Sequence, residues 1–192
     1  MRFAEKGDFS AVRALWETCF PDEGGFNDYF FAHFYKEKYT LLYLEGETLV
    51  AMVQMLPYRM MVGGVSREVT YIYGACTDPA HRRKGYMVRL LKRSFELDRE
   101  AGRIASVLIP AEKWLFDFYK PFGYEPFFHI SCWEDNAQEL LGADDAQMQG
   151  LLQTLGRGTL TVTETGSKIA LGVCKWHEKA DETAGYMNLM LN

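Results

Sequence analysis

The chain has 192 residues, 48% hydrophobic and 24% charged, an ordinary mix for a globular protein with room for one domain or a domain plus an extension. A formal net charge of -5 and a pI of about 5.4 argue against bulk attraction to nucleic acid or acidic membranes, so neither is an expected partner. The four cysteines, Cys19, Cys76, Cys132 and Cys174, are widely spaced, with no CxxC pair and no His at metal-ligand spacing; reduced thiols and no metal site are expected. The opening MRFAEKGDFS lacks a signal-peptide core and no apolar run approaches ~20 residues, so the expectation is a cytoplasmic protein without a membrane span.

Met1 to Glu5 suits a short first strand. Asp8 or Ser10 can cap a helix whose apolar stripe is Val12, Leu15, Trp16 and Cys19, ending at Pro21. A second, aromatic helix follows over Phe26 to Tyr35, with Phe26, Phe30 and Phe34 on one side and Tyr29 and His33 on another. Its rings read as core, or as one wall of a substrate pocket. Tyr39 to Leu44 and Thr48 to Tyr58 read as strands around Glu45-Gly46-Glu47, with Pro57 marking a bend or bulge. After the turn at Gly63-Gly64, a long strand over Val65 to Thr77 completes an antiparallel meander.

The stretch Val69 to Leu91 carries the chemistry. The strand turns at Asp78-Pro79-Ala80, passes through His81-Arg82-Arg83-Lys84 to Gly85, and becomes a helix with Met87, Leu90, Leu91, Ser94, Phe95 and Asp98 on one face. A strand, a basic loop with glycine and a helix start together present backbone N–H groups and a positive helix end to a phosphate. Three cations at a helix N-terminus are unfavourable with its dipole unless an anion compensates, which favours an anion site over a merely solvated helix start. Ala101-Gly102 ends that helix, and Ile104 to Ile109 is a strand expected to lie parallel to the previous one. A short helix over Glu112 to Lys120, a break at Pro121-Phe122-Gly123 and a strand over Tyr124 to Trp133 follow.

Beyond Glu134 the chain turns polar. Met148, Leu151, Leu152 and Leu155 make a helix stripe, Thr159 to Thr163 and Lys168 to Trp176 a hairpin around Thr165-Gly166-Ser167, and Tyr186 to Leu191 a last strand. Residues 136–192 are too few for a core of their own, so a helix and hairpin extension packing on a domain of residues 1–135 is expected. His33, His129 and His177 are scattered and read as local hydrogen-bonding residues.

Two stretches give the chain a resemblance to the GNAT N-acetyltransferases. Pro79-Ala80-His81-Arg82-Arg83-Lys84-Gly85-Tyr86-Met87 is similar to the acetyl-CoA motif R/Q-x-x-G-x-G/A, matching at Arg82 and Gly85, with Met87 where a small residue is usual. Leu115-Phe116-Asp117-Phe118-Tyr119-Lys120-Pro121-Phe122-Gly123-Tyr124 resembles the segment F-Y-x-x-x-G-F/Y. The loop and the β-rich extension look like the enhanced-intracellular-survival type branch, with a shortened extension. The resemblance implies a mixed α/β GNAT acyl-CoA acyltransferase fold, a mostly antiparallel sheet around a β-α-β acetyl-CoA unit.

The resemblance also implies acetyl-CoA as cosubstrate and a primary amine as acceptor. The backbone of Arg83, Lys84, Gly85, Tyr86 and Met87, with Arg82, would hold the pyrophosphate, and Ala75, Cys76 and Thr77 would pair with the pantetheine arm as with an added strand. Met87 would crowd the loop. Cys76 is not read as a nucleophile, because the family transfers acetyl directly from thioester to amine. Tyr119 matches the tyrosine that protonates the leaving thiolate. In the resembled branch the C-terminal carboxylate reaches the active site, which makes Asn192 the candidate base here. Glu68 stands near the place of a glutamate that some members carry, but on the opposite face unless a bulge intervenes. The acidic surface and aromatic helices favour a cationic acceptor, of aminoglycoside, polyamine or lysine type. A homo-oligomer is left open. The alternative is a non-catalytic acyl-CoA-binding regulatory module on the same fold.

Overall fold

The computed structural model describes residues 1–22, 24–62, 64–131, 160–161, 168–177 and 185–187. In chain order its elements are β1 (Arg2–Phe3), α1 (Phe9–Cys19), α2 (Phe26–His33), β2 (Thr40–Glu45), β3 (Thr48–Val62), β4 (Val65–Thr77), α3 (Tyr86–Glu100), β5 (Ala105–Leu108), α4 (Lys113–Tyr119), β6 (Glu125–Ser131), β7 (Leu160–Thr161), β8 (Lys168–Trp176) and β9 (Gly185–Met187). No helix among the described residues is long and apolar enough to cross a membrane. The main sheet runs β1-β2-β3-β4-β5-β8-β6, and β9 pairs with both β3 and β7. β4 and β5 are parallel, joined through α3, while the other described pairs are antiparallel. The expected α/β fold, with its meander and β-α-β unit, is the one observed.

Each face of the sheet buries a different set of helices. On one face Val53, Met55 and Ile72 pack against Leu90, Leu91 and Phe95 of α3, with Tyr119 and Tyr124 beside them. α3 buries Tyr86, Leu90, Leu91, Ser94, Phe95 and Asp98, close to the expected stripe, and Met87 sits at its margin. On the other face Met52 and Cys76 meet Val12, Leu15 and Trp16 of α1 and Phe30 and Phe31 of α2. α2 is shorter than expected and turned differently: it buries Asn27, Phe30 and Phe31 and leaves Phe26 38% exposed. The reason is polar, since the Trp16 indole N–H donates to the Asn27 side-chain oxygen at 2.7 Å and draws that face towards α1.

Two expectations about the strands need correction. Pro57 marks no bulge; it stays in register opposite Thr70. β2 pairs with β3 only as far as Gln54 and β9 joins at Met61, so Pro57 lies in a stretch with no described strand on that side, where its missing N–H breaks no ladder. Among the described residues, Leu160–Thr161 does not pair with Lys168–Trp176 as the hairpin would require. β7 pairs with β9, and β8 instead inserts between β5 and β6, placing Val173 and Cys174 in the core. The apolar β5, buried along its whole length, gains more by that pairing than a two-residue β7 offers. The helix stripe at Met148 to Leu155 lies outside the described residues.

A buried polar knot ties these layers together. The fully buried Asp98 carboxylate of α3 accepts from the Thr70 hydroxyl of β4 and from Arg103, which precedes β5. The His177 ring, just past β8, lies 3.2 Å from its other oxygen. Thr70 and Arg103 also contact each other at 2.9 Å. A buried carboxylate is tolerable only with such partners, and removing one strands the rest.

The real bulge falls between Met52/Gln54 on β3 and Tyr73/Cys76 on β4. There Gly74 takes a left-handed φ of 53°, and the Trp16 ring packs onto it so closely that an added Cβ would lie 2.1 Å from Trp16 Cζ3. Gly74→Ala should therefore destabilise by about 1–3 kcal/mol, combining overpacking with a disfavoured backbone conformation. Urea unfolding checks this against Gly102→Ala, where φ is also positive but no atom lies within 4 Å of the added Cβ; the Gly102 variant should lose less.

Candidate functional site

β4 and β5 pair only over Val69–Tyr71 and Ala105–Val107. Beyond Tyr71 they are no longer paired, and β4 continues through the bulge to Thr77 while still paired with β3 on its other edge. The bulge resets the alternation of side chains. Ala75 turns to the α3 side, where it lies at the cluster margin with Met87, Leu115 and Phe118, while Cys76 is buried towards α1. The three predicted strand residues thus lie on the part of β4 that runs past its pairing with β5. A cleft of about 690 Å³, lined by Ala111, Glu112, Lys113, Trp114 and Asp117, opens after the end of β5. A second, of about 400 Å³ between α1 and α2, contains none of the predicted site residues.

The basic loop follows directly from β4. Asp78 holds its turn: its N–H donates to the Val50 carbonyl, and its carboxylate accepts from the Ala80 N–H at 2.8 Å and lies 3.0 Å from His81 Nδ1. These partners, His81 foremost, keep the Asp78 carboxyl below its ordinary range. Arg82 is extended and its Nε donates to the Thr77 carbonyl at 3.3 Å. Arg83 has a φ of 65°, the one positive value among the described non-glycine residues, and Gly85 has 77° as the N-cap of α3. Strain of this kind persists where the surroundings enforce it, commonly at ligand sites. No side chain caps α3, so its first N–H groups, at Tyr86, Met87 and Val88, have no intrahelical acceptor. All six predicted loop residues, Arg82 to Met87, are therefore gathered at one uncapped, positively charged helix end.

The anion demanded by those cations is partly supplied by a residue that sequence reasoning missed. Glu45, at the end of β2, accepts from the Tyr86 hydroxyl at 2.7 Å and lies 3.5 Å from Lys84 Nζ and 3.8 Å from His81 Nε2. Its pKa is lowered by the Tyr86 hydrogen bond first and by Lys84 next, and the same bond raises that of Tyr86. The Tyr86 ring rests on Tyr43, whose hydroxyl accepts from Arg89. In the sequence Glu45 looked like an ordinary turn residue, and no spacing rule joins it to a loop so far along the chain.

Tyr119 ends α4 and is buried, 7% exposed, against Phe118 and Tyr124. Burial pushes its phenol up to about 12. Glu68, 63% exposed in the far arm of the β3–β4 hairpin opposite Arg59, lies on the other side of the bulge from the loop. Asn192 lies outside the described residues. No group of acidic, His or Cys side chains with metal-binding geometry is found among the described residues.

A parallel strand pair whose first strand runs on into an uncapped basic helix start makes a corner suited to an anionic ligand. Residues 1–127 match the family model described as the acetyltransferase (GNAT) domain, and the chain belongs to the GNAT acetyltransferase family. Solved structures share the fold. A GCN5-related N-acetyltransferase from Anabaena variabilis matches at TM-score 0.60 and 19% identity, covering 67% of this chain and 32% of its own. Eis1 from Mycobacterium abscessus matches at 0.56 and 17%, with the same coverages. A GNAT family acetyltransferase from Brucella melitensis, in complex with acetyl-CoA, matches at 0.52 and 18%, covering 65% of this chain and 80% of its own. The chain thus spans about a third of the length of the first two. A comparison with curated proteins gives no match.

The Glu45 contacts make a direct electrostatic prediction. Tyr86→Phe keeps the ring on Tyr43 and removes the hydrogen bond that chiefly lowers the Glu45 pKa, so the Glu45 titration midpoint should move upward, towards the ordinary carboxylate value. Carbon-detected NMR of the side-chain carboxyl reads the shift; an unchanged midpoint would mean the bond does not form in solution.

Proposed function

We propose that the chain is an acetyl-CoA-dependent N-acetyltransferase that moves the acetyl group to a primary amine by direct attack. The observation that carries the proposal is β4 running past the end of its pairing with β5 towards the uncapped start of α3. Backbone N–H groups at Gly85, Tyr86 and Met87, with Arg82, Arg83 and Lys84 around them, suit a pyrophosphate. Ala75, Cys76 and Thr77 suit the pantetheine amides, adding a strand-like partner to the edge of β4 beyond its pairing with β5. The complex of the Brucella relative with acetyl-CoA supports this cosubstrate.

Tyr119 takes the role of acid. With its phenol at about 12 it is protonated throughout the neutral range and holds a proton for the departing sulfur. The same burial makes it a reluctant donor, because the phenolate left behind must be stabilised once the thiolate forms. Its sign is definite: the protonated form is present below about 12 and lost only above it, so turnover should show no descending limb from Tyr119 up to about pH 10. The acceptor is proposed to be cationic, in keeping with the acidic balance of the chain.

An acetyl-CoA thiol-release assay against a panel of polyamines, aminoglycosides and lysine peptides tests the proposal; binding of acetyl-CoA without turnover on any amine would favour the non-catalytic module. Tyr119→Phe should lower kcat by about 10²-fold while acetyl-CoA affinity changes by about twofold or less, which calorimetry and steady-state kinetics separate.

A further inference from the structure

Two thiols meet beside the candidate site. Cys19 is the last residue of α1, half-buried, and its Sγ donates to the Thr77 carbonyl at 3.6 Å. Cys76 is buried in β4, one residue before Thr77, within the apolar cluster against which Cys19 packs. Arg82 Nε donates to the same Thr77 carbonyl, which brings a guanidinium to the Cys19 sulfur. The Cys76 contact, with Arg82 assisting and burial and Asp78 opposing, lowers the Cys19 pKa, while Cys76 is pushed up by the shared contact and by burial. The pair is thus unequal: a reachable sulfur with thiolate character against a buried, protonated one. Cys174, the third described thiol, is buried within the β8 pairing and raised by burial.

We propose that Cys19 and Cys76 form a peroxide-responsive thiol pair that closes a disulfide between the end of α1 and the edge of β4. In the first step the Cys19 thiolate attacks one oxygen of a hydroperoxide. An S–O bond forms and the O–O bond breaks; sulfur is oxidised to a sulfenic acid and the departing oxygen is reduced and leaves, protonated, as an alcohol or water. In the second step the Cys76 sulfur forms the S–S bond, the S–O bond breaks, and hydroxide leaves with the Cys76 proton as water. Two thiols and one hydroperoxide thus give one disulfide, one alcohol and one water.

The cross-link would bind α1 to the segment Ala75–Thr77 and displace the Cys19 contact that Thr77 shares with Arg82. This effect on turnover rests on the acetyltransferase reading; the disulfide chemistry does not. The full chain is treated with hydrogen peroxide, freed of it, and mapped by non-reducing peptide mass spectrometry. A Cys19–Cys76 linked peptide, reversed by dithiothreitol while Cys174 stays a free thiol, supports the proposal. In Cys76→Ser a 1,3-diketone probe should instead trap the sulfenic acid on Cys19. Persistence of both free thiols, or pairing of Cys19 with another cysteine, overturns it. Oxidation should remove most acetyl-CoA turnover from the parent protein and little from Cys19→Ser; a disulfide that leaves turnover intact overturns the coupling to the site. A linked peptide in a protein inactive on every amine, even reduced, upholds the thiol pair and removes the acetyltransferase reading.

Discussion

The packing of Trp16 on Gly74 sets the geometry on which everything near the site depends. A side chain at position 74 would collide with the indole, and the left-handed backbone there is what lets β4 gain a residue against β3. That extra residue reverses the side-chain alternation, so Ala75 meets the α3 side and Cys76 the α1 side. The indole is itself held by Asn27 and stacked on Phe30, so α1, α2 and the bulge form one unit. The loop at Asp78 to Gly85 starts from the strand end this unit positions.

A second constraint fixes the opposite end of the β-α-β unit. Asp98 gathers Thr70, Arg103 and His177 where β4 and β5 are paired. That end of the strand pair is fastened by a buried charge network, since a shift of β5 along β4 would strand a buried carboxylate.

Much of this was legible in the sequence, for reasons that differ by residue. α3 is framed by Gly85 and Gly102 and has a strict apolar stripe, so its limits of Tyr86 and Glu100 follow from local rules. The turn at Gly46 made the β2–β3 hairpin equally readable. Gly74, an isolated glycine inside a strand pattern, carried a signal for the bulge that was placed at Pro57 instead. Glu45 gave none, since its importance comes from a contact with Lys84 and Tyr86 made only in the folded sheet. The partner of Lys168–Trp176 was misjudged because a neighbouring run in the chain looked like a hairpin mate, whereas the pairing is decided by the apolar edge of β5. Cys19 and Cys76 are brought together only by the docking of α1 on β4, so spacing could not have paired them.

The insertion of β8 between β5 and β6 has a consequence for how the chain is made. Synthesis delivers β5 and β6 well before β8, yet the sheet has a place between them that only Lys168–Trp176 fills. Until that segment emerges, the fully buried residues Ala105–Leu108 present an unpaired apolar edge. The nascent domain thus passes through a sticky interval on the ribosome that ends only when the late strand threads into the gap. Non-local pairing of this kind is slow to form, and the edge stays open to mispairing in the meantime.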